Sequence, residues 1–135
     1  MCLNVVSKKK PRETGFGWKV FGMLNGGLYG DCFTIAKVRP IDKWLKEEDY
    51  RDAPQKQTIG TGEYGVRYPA GFHIFKRKKD AKEWDFPRCT QIYKVEYRKA
   101  HAQGEQRIEL IGPPIYLDCI VAKEIKILPL KRGLA

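Results

Sequence analysis

The sequence has few of the residues that build metal centres or disulfide frameworks. It contains four cysteines and two histidines, and no two cysteines form a C-x-x-C pair. Zinc and redox sites depend on such closely spaced ligands, so we expect neither a metal nor a cofactor. The first residues also lack the charged-then-apolar pattern of a secretory signal. This favours reduced thiols and a cytoplasmic location.

Long apolar runs and catalytic signatures are missing as well. No stretch approaches the ~20 apolar residues of a membrane-spanning helix, so we expect no membrane partner. The glycines do not form the G-x-G-x-x-G fingerprint that opens a dinucleotide-binding helix. No serine or cysteine lies in a recognisable catalytic spacing with a histidine. An enzyme is therefore the less favoured class.

Positive charge is what the sequence has in excess. Its 135 residues include 26 Lys and Arg against 16 Asp and Glu, a formal net charge of +10. Such a surplus attracts polyanions, although it also serves solubility alone. Nucleic acid, nucleotides and acidic protein surfaces are all compatible partners. The length fits one domain over residues 1–135, with a basic tail at 129–135 and a basic arm at 1–15 that is mobile after a possible short strand at 3–6.

The hydrophobic pattern predicts an α+β fold, mainly an antiparallel twisted β-sheet with two short helices. Apolar and polar residues alternate as they do in half-buried strands. The predicted strands cover residues 18–23, 28–38, 72–76, 91–98, 106–111 and 115–128. Asn25-Gly26 predicts a tight hairpin turn, and residues 101–104 a second turn. The helices are predicted at 41–48 and 81–84, the latter with Asp80 as its N-cap.

The strand Phe72–Phe75 holds the most specific candidate site. It ends in four consecutive cations, and alternation places His73 on one face with Phe75. Arginine binds phosphate bidentately and aromatic rings stack on bases. The predicted ligand-binding residues are Arg67, His73, Lys76, Arg77 and Lys78, with Tyr64 and Tyr68 as stacking candidates. The alternative is that His73 is a core histidine bonded to a backbone carbonyl and that the tyrosines only pack.

Basic runs elsewhere support a second interpretation, binding of a polynucleotide. These runs are Lys8–Arg12, Lys76–Lys79 with Lys82, and Lys131-Arg132, and the candidate stacking rings are Trp18, Phe21, Tyr93 and Tyr97. No named nucleic-acid module matches, so this signal is electrostatic only.

Several short motifs appear in a definite order along the chain. They are Lys19-Val20-Phe21, Gly71-Phe72-His73-Ile74-Phe75, Asp80-Ala81, Tyr93-Lys94-Val95-Glu96, and Val121-Ala122-Lys123-Glu124-Ile125-Lys126-Ile127. In these motifs the chain resembles a group of small phage and bacterial domains with no assigned activity. The resemblance implies a phage or prokaryotic source and a β-rich fold. For a phage protein, the expected cytoplasmic location would be the cytoplasm of the host cell. Residues 42–59 depart from that pattern as an insertion.

These observations lead to a functional hypothesis with one alternative. The protein is expected to bind a phosphate-bearing ligand, nucleotide or RNA, or a host factor, without catalysis, and in this way to counteract host defence. The alternative is a nucleotide- or NAD-using enzyme of ADP-ribosyltransferase type. Its catalytic carboxylate would be Glu63, Glu96 or Glu124, although no spacing marks any of them.

Overall fold

An antiparallel sheet dominates the structure and confirms the predicted α+β fold. The computed structural model describes residues 3–24, 26–29, 38–50, 59–61, 67–84, 90–108 and 112–130. The strands are β1 Val5–Val6, β2 Gly15–Leu24, β3 Gly27–Tyr29, β4 Trp44–Lys46, β5 Ile59–Thr61, β6 Arg67–Pro69, β7 Phe72–Phe75, β8 Thr90–Ile108 and β9 Ile115–Ile127. One α-helix, α1, spans Lys78–Trp84, and a 3-10 helix spans Glu47–Tyr50.

The main sheet closes on itself. Its strand order is β1-β8-β2-β7-β9-β4, with β3 beside β2, and β8 also pairs with β9. The pairings β8–β2, β2–β7, β7–β9 and β9–β8 therefore form a ring. Closure depends on two long strands, β8 with 19 residues and β9 with 13. Strand β8 is long enough to pair with β2 through its first half and with β9 through most of its length.

The hairpin between β2 and β3 forms where the sequence predicts it. Leu24 lies opposite Gly27, which leaves a two-residue connection. Gly26 has a φ of 79°, a conformation that glycine adopts without steric cost and that two-residue hairpin turns require. Strand β3 is described to Tyr29, and the predicted continuation through 30–37 lies outside the described residues.

The predicted turn at residues 101–104 is wrong, because β8 continues through it. The pairing with β9 shifts register between Ala100 and Ala102, so His101 is the extra residue of a β-bulge. A bulge bends a strand without ending it. Gly104 allows close approach of the chain rather than a turn, since a Cβ there would collide with the carbonyl oxygen of Val5 in β1.

The predicted helix at 41–48 is also wrong. Residues Trp44–Lys46 form the edge strand β4, in which Leu45 lies opposite Ile125 of β9. Leu45 is buried there, and burial against the sheet outweighs the weak helical periodicity of such a short segment.

Helix α1 begins earlier than predicted, and Asp80 is not its N-cap. The backbone carbonyl of Arg77 accepts hydrogen bonds from the amides of Asp80 (3.1 Å) and Ala81 (3.2 Å). The helix therefore starts at Lys78 and Asp80 lies within its first turn. Its carboxylate instead binds the Arg77 side chain.

Two apolar clusters form the core, and β7 contributes to both. Phe72 and Ile74 belong to the first cluster, which also contains Val95 and Ile125. Phe75 belongs to the second. All four residues of β7 are buried, as expected for a central strand covered on both faces. The side chain of His73 is therefore placed in the interior.

Candidate nucleic-acid interface

His73 forms a buried hydrogen-bonded pair with Tyr68. The Nε2 atom of His73 lies 3.0 Å from the Tyr68 hydroxyl oxygen, and the two side chains are 9% and 3% exposed. The same hydroxyl oxygen accepts the backbone N–H of Leu3 at 2.5 Å, so its own proton can be donated to the imidazole. Buried polar groups are satisfied in this way in protein interiors. The geometry supports the core-histidine alternative, with a tyrosine hydroxyl as a partner rather than the expected carbonyl.

This burial corrects the prediction that Tyr68 stacks on a base, because no ring face of Tyr68 is open to solvent. Arg67 lies in β6, where its backbone pairs with Thr61. Tyr64 lies outside the described residues.

The cations that follow β7 do not converge on the imidazole. The Lys76 ammonium donates to Oε1 of Gln103 at 3.0 Å. Arg77 binds the Asp80 carboxylate through two hydrogen bonds of 3.0 and 3.1 Å. The Lys78 ammonium lies 5.2 Å from the ring centroid of Trp18. Each of these three cations thus has a different partner, and among them only Arg77 has its charge compensated by a carboxylate.

Gln103 brings two distant basic runs together. Its Nε2 donates to the backbone carbonyl of Lys9 at 2.9 Å, while its Oε1 accepts from Lys76. Beside it, the Lys10 ammonium donates to the carbonyl of His101 at 3.3 Å. The bulge in β8 is therefore the place where the N-terminal run and the run after β7 meet. Sequence reasoning identified both runs but not their meeting point.

The N-terminal segment is docked on β8, and β1 lies within the short strand predicted at 3–6. The prediction that the following residues are mobile is corrected, because the Ser7 N–H donates to the Gln103 carbonyl and Gln103 donates to the Lys9 carbonyl. Leu3 is 1% exposed, and β1 pairs with Glu105 and Gly104. The Asn4 side chain accepts the backbone N–H of Arg107 at 2.7 Å. The side chains of Lys8, Lys9 and Lys10 remain exposed along this fixed backbone. Their positive charge is consequently presented beside β1, at the edge of the sheet.

An exposed aromatic pair continues this surface on β2. Phe16 is 57% exposed, and Trp18, two residues further, is half-buried against the second cluster. The Lys94 ammonium lies 5.2 Å from the centroid of Phe16 and 5.9 Å from that of Trp18. We call the following set the basic–aromatic band: Lys9, Lys10, Gln103, Lys76, Lys78, Trp18, Lys94 and Phe16.

Sequence reasoning found Trp18 but missed Phe16 and Lys94. The other stacking rings that it proposed are buried, with Phe21 1%, Tyr93 6% and Tyr97 5% exposed. Strand alternation could have identified Phe16, because it places Phe16 and Trp18 on the same side of β2. The pairing of Trp18 with Lys94 follows only from the register of β2 with β8.

Glu124, a carboxylate that the enzyme alternative invoked, is held in a buried ion pair. It is 3% exposed, and its oxygens lie 2.6 Å from Arg98 and 2.5 Å from Lys99. The hydrogen bond from Lys99, assisted by Arg98, lowers the pKa of Glu124. Glu96 lies 3.7 Å from Lys126, and Glu63 is outside the described residues.

A shallow cleft of about 250 Å³ opens beside Glu124. Its lining consists of Lys46, Glu47, Glu48, Lys99, Lys123 and Glu124. Cations and carboxylates are mixed in this lining, so it favours neither sign of charge. Within the described part of the chain, no three His, Cys, Asp or Glu side chains are grouped to hold a metal ion. None of the helices in the described ranges combines the length and apolarity needed to cross a membrane.

Comparisons of the chain with protein-family models, curated proteins and solved structures give no match. The basic–aromatic band is therefore assigned from its own geometry.

Proposed function

We propose that the protein binds RNA without catalysis, through the phosphate backbone, along the basic–aromatic band. The observation that carries this proposal is the contact of Gln103 with both Lys9 and Lys76. It places two basic runs side by side that are far apart in the chain. A cluster of cations on a rigid edge is the electrostatic footprint of a nucleic-acid-binding protein.

The charge of the band is available to a ligand. Gln103 is neutral, so its bond with Lys76 leaves the ammonium charge uncompensated, and an ammonium has two further protons to donate. Lys94 and Lys78 contact aromatic rings, which also leave the charge in place. Arg77 differs, because the Asp80 carboxylate neutralises it. We therefore assign phosphate contacts to the lysines of the band and not to Arg77.

An RNA strand fits this arrangement of cations better than a single nucleotide does. The cations follow one another from the N-terminal segment across β8 to the start of α1 and on to β2, instead of surrounding one point. Successive phosphates of an RNA chain can occupy successive lysines. Each neutralised phosphate releases counterions, so affinity falls as salt rises, with a slope of about 0.7 per contact for a single strand.

The test is fluorescence anisotropy with a labelled single-stranded RNA of mixed sequence, titrated over roughly 50 to 200 mM salt. Lys76→Gln is expected to weaken binding and to reduce the slope of log affinity against log salt by about 0.7. The matched control is Lys43→Gln, which removes the same charge at an exposed position before β4. Equal slopes for the two variants, or the absence of salt-dependent binding, would overturn the proposal.

Two further outcomes would replace the proposal with another function. Polyglutamate that binds as tightly as RNA of equal charge would indicate an acidic protein partner. Consumption of NAD by the wild-type protein, with loss of this activity in Glu124→Gln, would indicate the enzyme alternative.

A further inference from the structure

We infer that the RNA is bound as an unpaired strand, with two neighbouring bases stacked on Phe16 and Trp18. This inference rests on the proposed function and names the form of RNA that the band accepts. It draws on the aromatic end of the band, whereas the proposed function rests on its lysines.

The spacing of the two rings selects unstacked bases. Phe16 and Trp18 are separated by one residue on β2, so they lie on the same side of the strand and about 7 Å apart. Even in a DNA duplex, successive bases of one strand are only about 3.4 Å apart, and stacking on their neighbours covers their faces. Two successive bases can each meet a ring only when they have moved apart, as they do in a flexible single strand.

The backbone of β2 holds Phe16 towards solvent. A Cβ at Gly15 would lie 2.6 Å from the Tyr97 hydroxyl, and one at Gly17 would lie 2.8 Å from the carbonyl oxygen of Phe75. The two glycines therefore face packed atoms, and the intervening Phe16 points outward. Strand β2 pairs with β8 from Gly15 to Gly22 and with β7 at Trp18, so the sheet itself sets the positions of both rings.

Charge beside the rings identifies the ligand as a nucleic acid rather than an apolar group. Single exposed aromatic residues are common on protein surfaces and need no ligand. Here the Lys94 ammonium lies near both rings and Lys78 near the second. A phosphate that links two stacked nucleotides has to pass close to these ammonium groups. The acidic residue opposite Phe16, Glu96, has its carboxylate 3.7 Å from Lys126.

The experiment measures Phe16→Ala with three probes of equal length: single-stranded RNA, an abasic strand of the same sugar-phosphate backbone, and duplex RNA. The variant is expected to bind single-stranded RNA roughly 5- to 100-fold more weakly. Its affinity for the abasic strand and for the duplex should stay at the wild-type value, as should the salt slope. Phe16→Trp should restore binding, because it restores a stacking face. Tyr116→Ala is the control, since Tyr116 is another exposed aromatic residue, at 41%.

The outcomes separate this inference from the proposed function. If Phe16→Ala leaves single-stranded RNA binding unchanged, or weakens all three probes equally, the stacking inference is overturned while a salt-dependent loss in Lys76→Gln still supports backbone binding. If wild-type protein binds no probe in a salt-dependent manner, both proposals fail.

Discussion

The hydroxyl oxygen of Tyr68 lies 3.0 Å from Nε2 of His73 in the protein interior. Because the same oxygen accepts the N–H of Leu3, one hydroxyl connects β6, β7 and the N-terminal segment. A histidine beside a run of cations is thus part of the architecture that positions those cations. The lysines of the basic–aromatic band lie on elements that this contact helps to hold together.

Tyr68→Phe is expected to lower the free energy of unfolding by about 1–3 kcal/mol, because it leaves the Leu3 amide and the His73 imidazole without this buried partner. Urea unfolding measures the change. Tyr116→Phe, at an exposed tyrosine, should change stability by less than about 0.5 kcal/mol. His73→Ala should also destabilise the protein, while the folded fraction still binds RNA. Unchanged stability with lost RNA binding in His73→Ala would restore the anion-site interpretation.

Glu124 should make stability depend on pH. Folding lowers its pKa below the ordinary value of 4.5, chiefly through the hydrogen bond from Lys99. The ion pair therefore stabilises the protein fully above the ordinary pKa, and this contribution is lost as the pH falls through the lowered pKa. Glu124→Gln is expected to cost about 1–3 kcal/mol near neutral pH, a moderate amount because Arg98 and Lys99 are exposed enough to be hydrated.

Chemical unfolding at about pH 7 and about pH 3 checks this prediction, with a smaller difference between wild type and Glu124→Gln in acid. Glu96→Gln provides the comparison, because Glu96 is more exposed and its ion pair is longer. A loss of stability in Glu124→Gln that is equally large at both pH values would show that packing, and not the charge, is responsible.

Gly104→Ala should detach β1 from β8. The new Cβ would meet the carbonyl oxygen of Val5 and would lie 3.1 Å from the backbone of Val6, and neither backbone atom can rotate away. Hydrogen exchange at the amides of residues 5 and 6 is expected to become much faster. The control is Gln91→Ala, an exposed position on the same strand. Slow exchange at residues 5 and 6 in Gly104→Ala would contradict the docked N-terminal segment.

Gln103→Leu tests the link between the two basic runs without removing a charge. It eliminates the bonds to Lys9 and Lys76, so the lysines lose their fixed positions. RNA affinity is expected to fall roughly 2- to 10-fold with the salt slope preserved. Gln91→Leu is the matched control. A reduced salt slope in Gln103→Leu, or an unchanged affinity, would show that the bridge does not organise the site.

The elements that could be predicted are those whose structure follows from a short stretch of sequence. Asn25-Gly26 predicted the hairpin because positive φ favours glycine whatever surrounds it. Strands β7 and β9 were evident from β-branched and aromatic residues. The positive charge runs, and hence the attraction to polyanions, were equally explicit. Composition, however, specifies a kind of partner and not a site.

The predictions that were wrong concerned features that depend on residues far away in the chain. Residues 44–46 form a strand because they pair with β9, where Leu45 is buried opposite Ile125. Residues 101–104 stay in β8 because β9 and β1 pair with that part of the strand. The sequence by itself determined that the protein is basic, that it is rich in β-strands and that it has a hairpin turn at Gly26. Only the tertiary structure decided that His73 is buried and that Gln103 contacts both Lys9 and Lys76, because burial and long-range hydrogen bonds are made by residues that local patterns cannot bring together.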